Sequence, residues 1–118
     1  MLKIFLVFSG GGLGSVMRYC MTQMLMRWSQ NFPLATFLTN MAACFAIGVI
    51  TSYASKGVLT DEHRIFLAVG ICGGFSTFST FSNETVKLIE NNDWGTAFFY
   101  VAASIIAGFG ATFIALKI

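Results

Sequence analysis

Four apolar stretches alternate with short polar pieces along the chain: Ile4 to Met26, Phe32 to Ser55, Ile65 to Asn83 and Trp94 to Leu116. Only Arg18 interrupts the first, and the third carries no charge at all. Crossing a hydrocarbon core takes about 20 helical residues, so the pattern predicts four transmembrane helices, over residues 4–26, 32–55, 65–88 and 94–116. The pieces between them, Arg27 to Asn31, Lys56 to Arg64 and Glu84 to Asp93, are too short for a second folded unit. The expected architecture is one all-α integral membrane domain over residues 1–118. The third helix should break near its middle. Two adjacent glycines, Gly73 and Gly74, weaken a helix there, and the hydroxyls from Ser76 to Ser82 offer freed backbone groups other partners. At membrane depth such opened backbone is tolerated only where protein buries it or a wet cavity meets it.

Composition agrees with this pattern. With 56% hydrophobic and only 10% charged residues among 118, the chain is too apolar for a soluble domain of its size. Arg18 near the middle of the first stretch, with no Ala-x-Ala pattern after it, argues against a cleaved signal peptide. Cys20, Cys44 and Cys72 fall in three different stretches without metal-ligand spacing, so they are read as small core fillers. His63 reads as a solvated loop residue.

A net charge of +2 from scattered residues leaves no nucleic-acid footprint, but the distribution of those charges matters. Four spans put Lys3, Lys56, Arg64 and Lys117 on one side, and Arg27 and Lys87 on the other, where Arg18 raises the count to three. The bias that normally orients a membrane protein is therefore weak. A chain with so little preference can insert both ways up and pair with its inverted copy through a two-fold interface.

Polar groups inside a bilayer are costly and mark function by default. The glycines of Gly10-Gly11-Gly12-Leu13-Gly14 read as a helix-packing face rather than a phosphate cradle. Arg18 has two readings, a cation snorkelling to the headgroups or an inward charge lending positive potential to an anion vestibule. Thr36 and Asn40 share one face of the second helix, and the Asn40 amide donors are read as facing a permeating anion. Phe78 and Phe81 lie on one side of the resumed third helix, with Thr77 and Thr80 on the adjoining stripe and Ser79 between. Ring edges are the positive end of an aromatic quadrupole. Edges, hydroxyls and an amide together make a lining that attracts a small anion without trapping it. Glu84 could sit at the mouth, although a solvated helix-end carboxylate is the simpler reading. Tyr100, Ser104 and Gly108 form a four-residue-spaced stripe on the last helix that packing alone explains.

Three segments carry a family resemblance: Gly10 to Tyr19, then Thr36-Phe37 with Asn40 and Gly48, then Gly70-Ile71-Cys72-Gly73-Gly74-Phe75-Ser76-Thr77-Phe78-Ser79-Thr80-Phe81-Ser82. Together they resemble the Fluc or CrcB fluoride channels, over essentially the whole chain. The resemblance implies a dual-topology, antiparallel homodimer in the bacterial inner membrane that passes fluoride down its electrochemical gradient and relieves fluoride toxicity. It implies Phe78 and Phe81 as the rings facing fluoride and Asn40 as its amide donor, with Ser79 and Thr80 in the hydroxyl-rich stretch. It also implies a structural sodium ion at the dimer centre, held by the backbone carbonyls of Gly73 and Ser76 from each subunit. Arg18 matches the arginine of the first motif. The chain departs from the pattern at Ala35 and Ala43, where glycine is common, at Thr39, where valine is common, and at Phe75-Ser76, where Leu-Thr is usual.

A small multidrug exporter has the same size and span count, but proton-coupled export needs an intramembrane acid, typically in the first helix. No Asp or Glu precedes Asp61. A structural accessory subunit would explain the glycine faces but not the converging donors. No metal-ligand cluster or activated nucleophile can be assembled for an enzyme. The charge count predicts that cysteine labelling of the assembled protein from both sides of the membrane finds each loop on either side in comparable amounts; labelling of every copy from one side alone would refute mixed orientation.

Overall fold

The computed structural model describes all 118 residues, and they are helical apart from short turns. Helix α1 (Leu2–Leu25) runs into a short 3-10 turn at Met26–Trp28. Helix α2 spans Leu34–Ser55. Helix α3 (residues 61–75) starts as an α-helical turn at Asp61–Arg64, widens into a π-helix over Ile65–Cys72 and tightens again at Gly73–Phe75. After Ser76 and Thr77, α4 (Phe78–Glu90) resumes, and α5 (Trp94–Ala115) completes the bundle. Four segments are long and apolar enough to cross a membrane: Leu2–Trp28, Leu34–Ser55, Asp61–Glu90 and Trp94–Ala115. The longest dimension of the bundle is 48 Å, which exceeds the hydrocarbon thickness and leaves its ends among the headgroups.

Side-chain caps sit where a helix must start. Thr60 accepts from the His63 N–H, Thr77 from the Thr80 N–H and Asp93 from the Thr96 N–H, each satisfying one of the donors a helix start leaves free. Between α1 and α2, Ser29 donates to the Leu25 carbonyl at 2.9 Å and accepts from the Ala35 N–H at 3.0 Å, pinning the turn at both sides.

The third span is interrupted, but not at its glycines. Gly73 and Gly74 remain helical, and the extended residues are Ser76, with φ −74 and ψ 157, and Thr77, with φ −152 and ψ 115. What the glycines provide is approach. A Cβ on Gly74 would collide with the Gly11 carbonyl of α1, and one on Gly14 with the Ile71 carbonyl. A Cβ on Gly10 would lie 2.6 Å from the Phe66 carbonyl oxygen. The helices α1 and α3 are thus packed backbone to backbone, the device that substitutes for a hydrophobic driving force within lipid.

The second pair is α2 against α5. Gly48 gives room to Thr112 and Ala115, while the Thr112 hydroxyl donates across the interface to the Cys44 carbonyl at 2.9 Å. Ala35 and Ala43, the departures from glycine in the second helix, are both buried. Few side chains are buried overall, and large apolar ones such as Phe8, Phe98, Phe109 and Phe113 face outward, as a surface in contact with lipid or another subunit requires. Cys72 is buried, but Cys20 is exposed on α1 and fills no core.

These contacts separate two otherwise similar glycines. Gly10→Ala should destabilise the detergent-solubilised protein by about 1–3 kcal/mol through overpacking against α3. Gly12→Ala, where a Cβ meets nothing, should change stability by less than about 0.5 kcal/mol. Thermal unfolding of the two variants side by side is the measurement.

Candidate ion pathway

The break is held from across the bundle. In a continuing helix the Thr77 N–H would donate to the Gly73 carbonyl; here it donates instead to Asn40 Oδ1 at 2.8 Å. Asn40 Nδ2 in turn donates to the Thr77 carbonyl at 3.2 Å. One side-chain amide therefore replaces both backbone partners of Thr77. On the near side, Ser76 closes the last turn of α3 by donating both its N–H, at 2.9 Å, and its hydroxyl, at 2.8 Å, to the Cys72 carbonyl.

The Asn40 oxygen and one of its N–H groups are committed to Thr77, which leaves the second N–H as the donor it can offer beyond the clamp.

Thr77 separates two hollows. On one side is a polar chamber of about 350 Å3, lined by Ser15, Arg18 and Thr22 of α1, Thr36 and Thr39 of α2, and Thr77 with Thr80. Arg18 is half-buried and lines this chamber, with its Nε buried. The hydroxyls of Thr77 and Thr80 bond each other at 3.0 Å, and Ser79, exposed, lies 3.4 Å from Thr77 Oγ1. On the other side is an aromatic chamber of about 300 Å3, whose walls include Asn40, Ser76, Thr77, Phe78, Phe81 and Ser104. The Phe78 and Phe81 rings lie 5.8 Å apart, centroid to centroid. Ser104 Oγ is buried there without a partner.

The polar chamber continues outward through shared walls at Thr22, Thr36 and Thr80 into a third hollow, of about 300 Å3, bounded by Glu84, Lys87, Asn91 and the Ser29 to Pro33 turn. Glu84 is not a solvated helix-end carboxylate. Its two oxygens accept from the Thr36 hydroxyl at 2.7 Å and the Tyr100 hydroxyl at 2.8 Å, tying α4 to α2 and α5. Tyr100 is fully buried, its ring flanked by Phe32 at 5.3 Å and Phe81 at 4.9 Å. The stripe on α5 is thus more than packing: Tyr100 fixes the carboxylate and Ser104 faces the aromatic chamber.

The structure gathers Arg18, Thr77 and Thr80 on the first chamber and Asn40, Phe78, Phe81 and Ser104 on the second, and it links Glu84 with Tyr100 through Thr36. Gly73 is exposed on the subunit surface, and its carbonyl has lost the Thr77 N–H. No cluster of His, Cys, Asp or Glu side chains could hold a metal ion.

The profile of the family described as CrcB-like protein, Camphor Resistance (CrcB), matches residues 5–116. The chain belongs to the CrcB family. Among its relatives is the fluoride-specific ion channel FluC of Flavobacterium psychrophilum, 42% identical over 120 residues, covering all of this chain and 97% of the relative. The FluC of Gloeothece citriformis is 42% identical over 117 residues, covering 98% and 95% of the two chains. That of Phocaeicola vulgatus is 40% identical over 109 residues, covering 92% and 90%.

Sequence reasoning missed two features of this CrcB chain. One is the Thr36–Glu84–Tyr100 triangle. The spacing of Thr77, Thr80 and Glu84, three and four residues apart, would have placed the carboxylate on the hydroxyl stripe. The other is Thr39, fully buried with an unpartnered hydroxyl.

The clamp yields a stability prediction. Asn40→Ala leaves the Thr77 N–H and carbonyl unpaired, and should lower stability by about 2–4 kcal/mol. Amide exchange at Thr77 should accelerate as well. Asn40→Asp, which keeps the acceptor and loses the donor, should fall between the variant and the parent. Unchanged exchange at Thr77 in Asn40→Ala would show that the clamp does not hold the break.

Proposed function

We propose that the chain is one subunit of a fluoride channel of the bacterial plasma membrane, a multi-pass protein through which fluoride leaves passively down its electrochemical gradient. The observation that carries this reading is the pair of chambers meeting at Thr77, one lined by hydroxyls and a guanidinium, the other by the Phe78 and Phe81 rings with Asn40 and Ser104. Fluoride gives up strongly held water only where many donors replace it. Hydroxyls, amide N–H groups and ring edges do so while binding weakly enough to release the ion.

Two inverted copies complete the pathway in this reading. Support comes from Phe78, which remains 79% exposed in the single subunit although it borders the aromatic chamber. An aromatic side chain beside an ion route needs an outer wall, and a second copy supplies one. The weak charge bias allows that copy to be inverted.

A sodium ion shared between the copies fits the backbone. The Gly73 carbonyl lacks its helical donor and Gly73 is exposed, while Ser76 is extended just beyond it. Gly73 and Ser76 carbonyls from two copies give four neutral oxygens, a set suited to a monovalent cation rather than to calcium or magnesium. Bound there, the ion would neutralise carbonyl dipoles left unpaired in a low-dielectric setting.

A proton-coupled multidrug exporter is not favoured. The first helix carries no acid, and the Glu84 carboxylate is engaged by two hydroxyls.

Reconstituted protein should release fluoride from proteoliposomes, read with a fluoride electrode, and release should depend on a potassium ionophore that dissipates the voltage. Phe78→Ile and Phe81→Ile should each slow release by roughly tenfold, about 1.4 kcal/mol of lost interaction with the moving ion, with the dimer intact by size-exclusion chromatography. Parent-like rates in both variants would remove these rings from the route, and fluoride retention by parent vesicles with the ionophore present would end the channel reading.

A further inference from the structure

The outer hollow carries two charged side chains, Glu84 and Lys87, three residues apart on α4, and the rest of its lining is neutral. The two are held differently. Glu84 is half-buried, and both of its oxygens accept hydroxyl protons from neighbouring helices. Lys87 is exposed and makes no ion pair, although Glu84 and Glu90 each stand three residues from it along the helix. The one salt bridge in the chain joins Arg64 to Asp61.

A carboxylate is an awkward wall for an anion to pass. The polar chamber shares Thr22, Thr36 and Thr80 with this hollow, and of the residues lining the polar chamber, the aromatic chamber and the hollow, Glu84 is the one carboxylate. Hydroxyls that donate to it stabilise its charge without removing it. Through water its field reaches about a Debye length, so with Glu84 alone the hollow would be depleted of anions. Lys87 brings the net charge of the same wall to zero. Because its ammonium is not bonded to Glu84, it stays free on a flexible stem to meet an anion arriving from solution.

We propose that Lys87 is the anion-recruiting residue of this chain: it offsets the Glu84 charge at the outer hollow and raises the fluoride concentration at the entrance to the polar chamber. The inference rests on the channel reading and adds to it a residue that sets the supply of ions. Lys87 acts through space and does not bind the ion during its passage. A unit charge several ångströms away across water changes the local anion concentration by roughly threefold. Salt must erase such an effect, because the two charges face water rather than a dry interior.

Single-channel fluoride currents in planar bilayers test this, because they do not depend on how many channels fold. Fluoride is held at about 10 mM while potassium isethionate raises the ionic strength to about 1 M, which shortens the Debye length from about 30 Å to about 3 Å. At low ionic strength Lys87→Gln should carry roughly threefold less current than the parent, and Lys87→Glu, a change of two charges, roughly tenfold less. Lys87→Arg should match the parent. At high ionic strength all four should converge. A deficit in Lys87→Gln that persists undiminished at high salt would assign the residue a structural role and overturn the proposal, as would parent-like current in Lys87→Glu at low salt. Both results leave the channel reading intact; absence of fluoride current in the parent itself would instead overturn the reading on which the proposal rests.

Discussion

A peptide group released from a helix inside hydrocarbon must find a new partner, and for Thr77 that partner is the Asn40 amide. The bidentate bond copies what a helix would have provided. It allows the third span to stop at Ser76, extend, and start again at Phe78 without exposing unpaired backbone. Everything around the two chambers follows from that interruption. Thr77 becomes the cap of α4 and the wall of two chambers, the Gly73 carbonyl loses its donor, and Phe78 begins a new helix facing out of the subunit.

The second constraint is the backbone approach of α1 to α3. Gly10 and Gly14 bring α1 onto the wide π-helical turn around Gly70 and Ile71, and Gly74 meets Gly11. This proximity sets Ser15 and Arg18, the next residues along α1, against the chamber that α2 closes from the other side. A bulkier residue at any of these contacts would move the cation as well as the helix.

The four spans were readable because charges are sparse within them and gather toward their ends and between them; even the third, whose helix changes type twice, is bounded by Asp61 and Glu90. The break was also readable, but its cause was not. Glycine propensity pointed to Gly73 and Gly74, whereas both stay helical and Gly74 serves a contact with Gly11, more than sixty positions away. The interruption comes from Asn40, 37 residues distant. Glu84 was misjudged for the same reason: its partners, Thr36 and Tyr100, lie 48 and 16 residues away on other helices. Local pattern reports which residues tolerate the membrane. It does not report which side chain of one helix satisfies a polar group on another.

The bundle divides mechanically along the same line. The α1–α3 half packs backbone to backbone, and the α2–α5 half is pinned by Gly48 and the Thr112 hydroxyl. The chain passes from the first half to α4, which Glu84 ties to the second, through the two extended residues Ser76 and Thr77. Extended backbone and the Asn40 amide clamp join the two halves at their seam, and the polar chamber, walled by α1 on one side and α2 on the other, lies along it. A change in the angle between the halves would therefore alter the bore of this chamber before it parted either helix pair.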